Sequence, residues 1–285
     1  MLVFKQVAQL KKYLSSRQQR GSTIGFVPTM GALHSGHISL IKRSKIEANI
    51  TVCSIFVNPT QFNDTSDLEK YPRTLENDLE LLLNAQTDIV FAPSVLEIYP
   101  KGLKTAVEIE LGQLATVMEG AFRPGHFEGM MEVVNRLLDI VEPNKLFMGQ
   151  KDFQQAAIVQ EMLNQTNRPT ELVVCPIIRE NNGLAMSSRN QRLSAEEKEQ
   201  AKILYESLKF AKAQMLTKSI EQVKKEAVLM IEAEGLNSIY FEISDAISLK
   251  PLDNWEESKN IVACLAAFMG NIRLIDNAVI KSSKV

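Results

Sequence analysis

The residues best suited to chemistry are His34 and His37, two of only three histidines in the chain, on either side of Gly36. The apolar run Ile24–Val27 before them is ended by Pro28, and a helix-compatible pattern resumes after His37, which predicts strand, loop and helix. A helix that begins near Gly36 offers unpaired backbone N–H groups to an anion, and residues three apart lie on one helix face. The pattern therefore predicts that both imidazoles face the phosphates of a nucleotide. A pair of structural histidines beside a turn is the alternative.

Polar residues also follow two other predicted strands. Asn58 and Gln61 come after the apolar run Thr51–Val57, and Lys151 comes after Leu146–Met148. Ligands bind at the carboxyl ends of strands in open α/β sheets, and a lysine beside a helix N-terminus is well placed to face a phosphate. We expect substrate contacts from these residues, with ordinary turn residues as the alternative.

Two later segments carry further candidates. Arg123 and His126 lie close together on a loop with glycine and proline, where an arginine and a histidine can hold an anion. Further along, Met186–Arg189 combines two serine hydroxyls with a fixed positive charge. Each segment can also be a mere connection between elements.

The elements around these residues alternate between strand and helix. A first helix is predicted over residues 4–20, and the alternation then runs to about Val174 through Ile24–Val27, the helix after His37, Thr51–Val57, Leu75–Leu83, Asp88–Phe91, a helix through Val133–Leu138, Leu146–Met148 and Phe153–Leu163. This pattern is typical of a doubly wound, Rossmann-like parallel sheet, whose ligand crevice lies where the strand order reverses. Residues 1–176 are predicted to form this α/β domain.

Residues 177–285 predict a second, smaller α+β domain. Ser194 and Glu197 form a capping box for a helix to about Leu216, and a second helix runs from Ser219 to Glu234 before Gly235. Alternating apolar residues predict strands over 239–243, 261–268 and 272–280. This domain shows no chemistry of its own in the sequence, which fits a lid.

Composition and charge narrow the possible classes of function. The 285 residues are 45% hydrophobic, enough for one large core or two modest ones. A net charge of −2 and a pI near 6.0 give no basic surface for nucleic acid. Cys53, Cys175 and Cys264 lie in apolar runs without metal-ligand spacing, which suits reduced core thiols. No signal peptide or run of about 20 apolar residues occurs, so we expect a soluble, cytoplasmic protein without membrane contact.

A resemblance to known families starts from the same loop. His34-Ser35-Gly36-His37 matches the His-x-Gly-His signature of nucleotidylyl transferases and class I aminoacyl-tRNA synthetases, and Met186–Asn190 is similar to the mobile Lys-Met-Ser-Lys-Ser loop of the synthetases. The wider block Pro28–His37 resembles the pantothenate synthetase family, the pantoate–β-alanine ligases, and the resemblance covers nearly the whole chain. In that family ATP and pantoate give pantoyl adenylate and pyrophosphate, and β-alanine then attacks the acyl carbon to yield pantothenate and AMP. The resemblance thus implies an AMP-forming carboxylate–amine ligase, as a homodimer joined through the N-terminal domain.

The resemblance also implies roles for individual residues. ATP contacts are implied for Met30, Gly31, Ala32, Leu33, His34, Ser35, Gly36, His37, Gly149, Gln150, Lys151, Asp152, Ile178, Met186, Ser187, Ser188 and Arg189. Pantoate contacts are implied for Gln61 and Gln155, with Gln61 also near β-alanine, and the residues expected to line the site are Asn58, Tyr71, Arg123 and His126. Charge on the leaving pyrophosphate would be stabilised by Mg²⁺ and by the implied catalytic residues His34, His37, Lys151 and Arg189, with His37 the family's assigned proton donor.

The protein ligands of Mg²⁺ stay unassigned. The family often has an adjacent acidic pair on the helix after Tyr-Pro-Arg-Thr, whereas this chain has Asn77 before Asp78. Mg²⁺ usually keeps several waters and binds through substrate phosphates. The sequence therefore predicts Mg²⁺ with ATP and leaves direct protein ligation open.

Two other classes of function fit part of the pattern. A nucleotidylyl transferase would share His34 and His37, but it gives no role to Gln61 and Gln155 and takes a phosphate acceptor in place of a carboxylate. A nucleotide-binding regulatory protein would bind ATP without forming AMP from any acid.

Overall fold

The computed structural model describes residues 1–62, 68–69, 71–102 and 109–283, and the chain divides into two compact units. The first comprises Met1–Leu111, Arg123–Gly149 and Ile158–Cys175, and the second comprises Gly112–Phe122, Gln150–Ala157 and Pro176–Val285. The second unit thus includes two segments from before residue 177, because Met118 and Phe153 pack with Val262 of a much later strand. The domain boundary after residue 176 stays a prediction.

The first unit contains a six-stranded sheet in which every neighbouring pair is parallel. Its strand order is β1-β4-β3-β2-β5-β6, so the order reverses between β2 and β5. The strands are β1 (Leu2–Phe4), β2 (Ile24–Thr29), β3 (Ile50–Ile55), β4 (Ile89–Phe91), β5 (Lys145–Gly149) and β6 (Glu171–Cys175). The predicted Rossmann-like fold is confirmed, and the loops after β2 and β5 lie at the point where such sheets bind ligands.

Helices alternate with these strands and continue into the second unit. In chain order they are α1 (Val7–Gln18), α2 (Ser35–Glu47), α3 (Leu75–Asn84), α4 (Val95–Ile98), α5 (Glu119–Phe122), α6 (His126–Val141), α7 (Phe153–Gln165), α8 (Ala195–Gln200), α9 (Ile203–Gln214) and α10 (Ile220–Ala233). Short 3-10 helices lie at Pro59–Gln61, Gly112–Ala115, Gln150–Asp152 and Ser188–Arg192.

Two predictions about the start of the chain were wrong. The helix expected over residues 4–20 begins only at Val7, because Leu2–Phe4 pairs with β4 as an edge strand. Pro28 does not end β2, which continues to Thr29. The carbonyl of Thr29 accepts a hydrogen bond from Phe56, so the backbone of Pro28 faces the other side of the strand, where pairing with β5 has already ended at Phe26. The missing N–H of proline therefore removes no bond from the sheet.

The second unit contains a three-stranded antiparallel sheet with α8, α9 and α10, which confirms the predicted small α+β domain. Its strands, in the order β7-β8-β9, are β7 (Asn237–Asp245), β8 (Ile261–Met269) and β9 (Ile272–Lys281). The capping box predicted at Ser194 is present, and the structure shows a second one at Ser219, closed by Gln222. The single helix predicted to Leu216 was wrong, because hydrogen bonds after Ala201 tighten to the three-residue spacing and divide it into α8 and α9.

No helix within the described ranges is both long and apolar enough to cross a membrane. The apolar side chains instead form cores inside each unit. In the first unit Val27, Cys53 and Phe147 pack between sheet and helices, and in the second Phe241, Ile243 and Leu265 pack beneath α9 and α10.

The reactivity of a buried cysteine in each unit can be used to test the packing of that unit's core. Burial raises the pKa of the Cys53 thiol to about 12, and burial likewise raises the pKa of Cys264 in the second unit. Only the thiolate reacts with aromatic disulfide reagents. At pH 8 a thiol with that pKa is ionised in roughly one molecule in ten thousand. We therefore expect Cys53 and Cys264 to stay unmodified in the native protein and to react after denaturation, as followed by mass spectrometry of labelled peptides. Rapid native labelling of either residue would contradict the packing described for its unit.

Candidate active site

The loop after β2 is fixed by a buried carboxylate. Gly31 and Ala32 both have positive φ values, 81° and 49°, which a non-glycine residue adopts only at a cost. Asp78 on α3, only 1% exposed, accepts hydrogen bonds from the backbone nitrogens of Ala32 at 3.0 Å and Leu33 at 2.8 Å. A carboxylate that accepts two backbone N–H bonds makes strong, charge-assisted contacts. Asp78 therefore holds the strained turn that delivers the chain to His34.

The two histidines cap the helix that follows. The Nδ1 atom of His34 accepts a hydrogen bond from the backbone nitrogen of Gly36 at 3.1 Å, and Nδ1 of His37 accepts one from the backbone nitrogen of His34 at 3.3 Å. Together they form a capping box, with His34 as the N-cap of α2. The sequence predicted the helix start correctly, but it did not predict that imidazoles would serve as its caps.

This cap determines where each ring carries its proton. A nitrogen that accepts a hydrogen bond has no proton of its own, so the neutral ring is protonated on Nε2. The two rings lie with their centroids 4.0 Å apart, as expected for residues three apart on one helix face. His34 and His37 thus form a close pair of imidazoles whose Nε2–H groups can donate to an anion.

A second group of predicted residues is joined around Gln61. Gln61 ends the 3-10 helix Pro59–Gln61, and its carbonyl lies 2.9 Å from Nδ1 of His126. Because a carbonyl only accepts, Nδ1 of His126 carries the proton, and its Nε2 accepts from Arg123 at 3.2 Å. His126 is the first residue of α6, so the prediction that it lies on a loop was wrong. Arg123 and His126 thereby support the backbone of Gln61.

Asn58 supports the same 3-10 helix from its other end. It is 1% exposed, its amide nitrogen donates to the carbonyl of Gly129 at 3.0 Å, and its amide oxygen accepts from Tyr99 at 2.8 Å. These contacts give Asn58 a positioning role in the structure. Tyr71 is also buried and packs edge-on against Phe62, with ring centroids 5.5 Å apart.

A cavity of about 270 Å³ opens at the carboxyl ends of β2, β3 and β4. Its lining is mostly apolar and comprises Met30, Gly31, Ile55, Phe56, Val57, Pro72, Arg73, Thr74, Leu75, Asp78, Ala92, Pro93, Ser94 and Val95. Of the predicted ATP contacts, Met30 and Gly31 therefore border open space.

In the second unit, Gln154 and Gln155 have different environments although they are neighbours on α7. Gln154 is 5% exposed and binds three backbone groups of the segment 114–119: its oxygen accepts from Glu119, and its nitrogen donates to Leu114 and Val117. Gln155 is only half-buried. The structure thus gives Gln154 a structural role and leaves Gln155 as the glutamine available for a ligand.

The predicted ATP contacts of the second unit lie on two segments. Gln150–Asp152 forms a 3-10 helix, and Lys151 pairs with Asp152 at 3.6 Å. Ile178 and Met186 are brought together, because the nitrogen of Met186 donates to the carbonyl of Ile178 at 3.0 Å. Ser187 then caps the 3-10 helix Ser188–Arg192 by accepting from the nitrogen of Arg189 at 3.3 Å.

Both segments contact β9, for which the sequence predicted no role in the site. Asn277 binds Gln150 and Lys151, and Asp276 forms an ion pair with Arg179. Two adjacent polar residues between the apolar pairs Leu274-Ile275 and Ala278-Val279 were the available signal.

The described side chains do not form a site for Mg²⁺. No group of three or more His, Cys, Asp or Glu residues suited to a metal ion occurs in the part of the chain that the structure describes. Asp78, the remaining member of the expected acidic pair, binds the β2 loop and also accepts from the hydroxyl of Thr74 at 3.3 Å. The residues present therefore do not fit a protein-ligated ion.

Gly129 offers a test of the support for Gln61. A Cβ at this position would lie against the carbonyl of Thr60, so α6 approaches the 3-10 helix as closely as glycine allows. Helix propensity alone predicts that Gly129→Ala stabilises the protein by up to about 1 kcal/mol. We expect instead a loss of roughly 1–3 kcal/mol in the free energy of unfolding, measured with urea, because the Thr60–Gln61 backbone must move. A gain in stability would show that the contact is not tight.

Comparisons with known proteins agree over the whole chain. The family described as Pantoate-beta-alanine ligase matches residues 2–279. A pantothenate synthetase of Bacteroides thetaiotaomicron is 47% identical over 281 residues, which cover 97% of this chain and 98% of that protein. One of Porphyromonas gingivalis is 47% identical over 287 residues, with 97% of this chain and 98% of that protein covered.

Solved structures give the same result. The pantothenate synthetase of Thermus thermophilus superposes with a TM-score of 0.92 at 38% identity, covering 99% of this chain and 100% of that one. A pantoate-beta-alanine ligase of Francisella tularensis, complexed with beta-gamma ATP and beta-alanine, superposes with a TM-score of 0.81 at 36% identity, covering 98% of each chain. The chain belongs to the pantoate-beta-alanine ligase family.

Proposed function

We propose that the protein, an ATP-dependent ligase that makes pantothenate from pantoate and β-alanine, works through a pantoyl adenylate. A carboxylate oxygen of pantoate attacks the α-phosphorus of ATP, and the bond from that phosphorus to the bridging oxygen breaks to release pyrophosphate. The amine of β-alanine then attacks the acyl carbon, AMP leaves, and the new amide nitrogen loses a proton. Because the pantoate carboxylate is already ionised, the first step needs charge stabilisation more than a base.

The observation that carries this proposal is the histidine cap of α2. Both Nδ1 atoms accept backbone hydrogen bonds, so His34 and His37 keep Nε2–H donors on the helix end that favours anions. Donors fixed in this way need no reorganisation when charge develops on the leaving pyrophosphate. His37, the family's assigned proton donor, is accordingly proposed to donate a hydrogen bond to this charge, with His34 beside it.

The remaining ATP contacts are proposed from the family resemblance, within each unit. In the first unit they are Met30–His37 and Gly149, and in the second they are Gln150–Asp152, Ile178 and Met186–Arg189. Lys151 and Arg189 are proposed as catalytic cations. The capped Ser187–Arg189 segment is proposed to close over the acyl adenylate, which must be kept from water, as one piece with the residues that hold it.

Pantoate is proposed to bind the amides of Gln61 and Gln155, with Gln61 also near β-alanine. The hydrogen-bonded series Arg123, His126 and Gln61 supports this, since it leaves the Gln61 backbone little freedom. Asn58, Tyr71, Arg123 and His126 are then proposed to shape the site around the substrates. The Francisella tularensis relative was solved with beta-gamma ATP and beta-alanine, and we propose that ATP and β-alanine both bind here.

Three wider expectations stay predictions. Mg²⁺ is expected to arrive with the phosphates of ATP, and no step above depends on a protein-bound ion. A homodimer joined through the N-terminal domain is expected from the resemblance, and a cytoplasmic location is expected from the sequence. The net charge of −2 supports small-molecule substrates and no nucleic-acid partner.

The order of the reaction can be tested directly. If a pantoyl adenylate forms before the amine acts, pantoate should support exchange of labelled pyrophosphate into ATP with β-alanine absent. AMP should accumulate with turnover only when β-alanine is added. Exchange that strictly requires β-alanine would exclude the adenylate route.

The two glutamines provide a second test, on substrate choice. A glutamine amide can both donate to and accept from the hydroxyls of pantoate, and loss of one partner once the ligand covers the amide costs roughly 1–3 kcal/mol, about a five- to 150-fold change. We expect Gln61→Ala and Gln155→Ala to lower kcat/KM for pantoate by about that factor, with the Kd for ATP little changed. Gln160→Ala is the matched control, because Gln160 lies exposed on the same helix as Gln155 and its side chain bonds to Asn164 on that helix. A loss of ATP affinity with normal use of pantoate would assign both glutamines to the nucleotide instead.

A further inference from the structure

Two adjacent polar residues interrupt the apolar pattern of β9. Asp276 and Asn277 are 3% and 2% exposed, whereas their neighbours Leu274 and Ile280 belong to the hydrophobic core. Burying a carboxylate and an amide costs free energy unless both are hydrogen-bonded. The hydrogen-bond partners of Asp276 and Asn277 therefore show which segments of the chain this strand holds in place.

Asn277 holds the segment that carries Lys151. Its amide nitrogen donates to the carbonyls of Gln150 and Lys151, both at 2.9 Å, and its amide oxygen accepts from the side chain of Gln150 at 3.1 Å. One side chain thus binds the backbone of this 3-10 helix at two successive residues. Because both N–H groups of the Asn277 amide are engaged, the 3-10 helix Gln150–Asp152 is held in one position against β9.

Asp276 holds the segment that leads to Ser187–Arg189. Its carboxylate oxygens accept from both terminal nitrogens of Arg179, at 2.6 and 3.0 Å. Arg179 in turn donates to the carbonyl of Gly183 at 3.0 Å and lies 3.8 Å from the ring centroid of Tyr205. Such a bidentate and stacked guanidinium has a fixed orientation.

A short hairpin, residues 179–185, connects Arg179 to the Ser187–Arg189 segment. Arg179 pairs with Ala185 across the hairpin, and Asn190 donates to the carbonyl of Ala185 at 3.0 Å and to Glu180 at 2.7 Å. The residues between Ala185 and Asn190 are therefore tied at both ends to the hairpin whose Arg179 pairs with Asp276.

We infer that Asp276 and Asn277 are a positioning pair, which fixes the Lys151 segment and the Ser187–Arg189 segment to one strand and so sets their mutual geometry for ATP. Successive residues of a strand point to opposite sides, so one residue serves each segment. The inference rests on the proposed role of Lys151 and Arg189 in adenylation. Neither residue of the pair is proposed to touch substrate.

The charge of Lys151 also reaches Asp276. Burial raises the pKa of the Asp276 carboxyl above its ordinary value, whereas Arg179 and, more weakly, Lys151 lower it. Arg179 and Lys151 therefore both act on the buried carboxylate of Asp276.

The test uses pyrophosphate exchange by the full-length protein with saturating pantoate. Asn277→Asp keeps the size of the side chain but replaces both donors by an acceptor, which repels the carbonyls of Gln150 and Lys151. We expect kcat for exchange to fall about ten- to a hundredfold, as for a misplaced catalytic group, with KM for pantoate changed less than about twofold. Asn277→Ser, which is neutral and has at most one donor, is expected to lose less activity and provides a second readout if Asn277→Asp does not fold.

Three further variants separate positioning from stability. Leu274→Ala removes a core side chain from the same strand that, being apolar, makes no hydrogen bond to either segment, so it should lower Tm while kcat per folded molecule stays the same. The double variant Asn277→Asp with Lys151→Ala should be no slower than Lys151→Ala alone, because a group that is absent cannot be misplaced. Asp276→Asn should show the same non-additivity with Arg189→Ala.

The outcomes distinguish this inference from the function on which it rests. If Lys151→Ala leaves exchange unchanged, the proposed role of Lys151 is wrong and the inference falls with it. If Lys151→Ala abolishes exchange but folded Asn277 variants retain full kcat, or if the double variant shows additive losses, only the positioning pair is overturned. A slow, folded Asn277→Asp with a non-additive double variant supports it.

Discussion

The site in the first unit depends on the Asp78 carboxylate. Gly31 and Ala32 both adopt positive φ values, and this backbone conformation is unfavourable for alanine. The turn persists because the backbone nitrogens of Ala32 and Leu33 both donate to the buried Asp78 carboxylate. Without that turn, β2 could not end and α2 begin within the few residues between Thr29 and Ser35. Asp78, whose part in metal binding the sequence left open, therefore acts on the backbone.

The backbone in turn sets the chemistry of all the histidines. At His34 and His37 the backbone nitrogens occupy Nδ1, so the proton lies on Nε2, whereas at His126 the carbonyl of Gln61 selects the opposite tautomer. The same side chain thus becomes an outward donor in one place and an internal support in another. Second contacts of this kind hold a ring in one orientation, which is what a preorganised site requires.

In the second unit, buried polar side chains are likewise stabilised by hydrogen bonds to the backbone or by an ion pair. Gln154 binds three backbone groups of the segment 114–119, Asn277 binds the segment with Lys151, and Asp276 pairs with Arg179. Each buried amide or carboxylate has several partners, so it specifies one arrangement of the chain around it. A domain whose sequence shows no chemistry can therefore determine where the reactive side chains of its own unit lie.

The sequence by itself determined the fold class, the positions of the loops and the family, because hydrophobic periodicity and the His-Ser-Gly-His block are local properties of the chain. It also predicted the start of α2, the capping box at Ser194 and a helix start at Ser219, for the same reason. Only the tertiary structure decided that Asp78 braces the loop at Ala32, 46 residues away, and that Asn277 meets Gln150, 127 residues away. Such pairs have no sequence period, since they arise when folding brings distant polar groups together where water is excluded and each must find a partner.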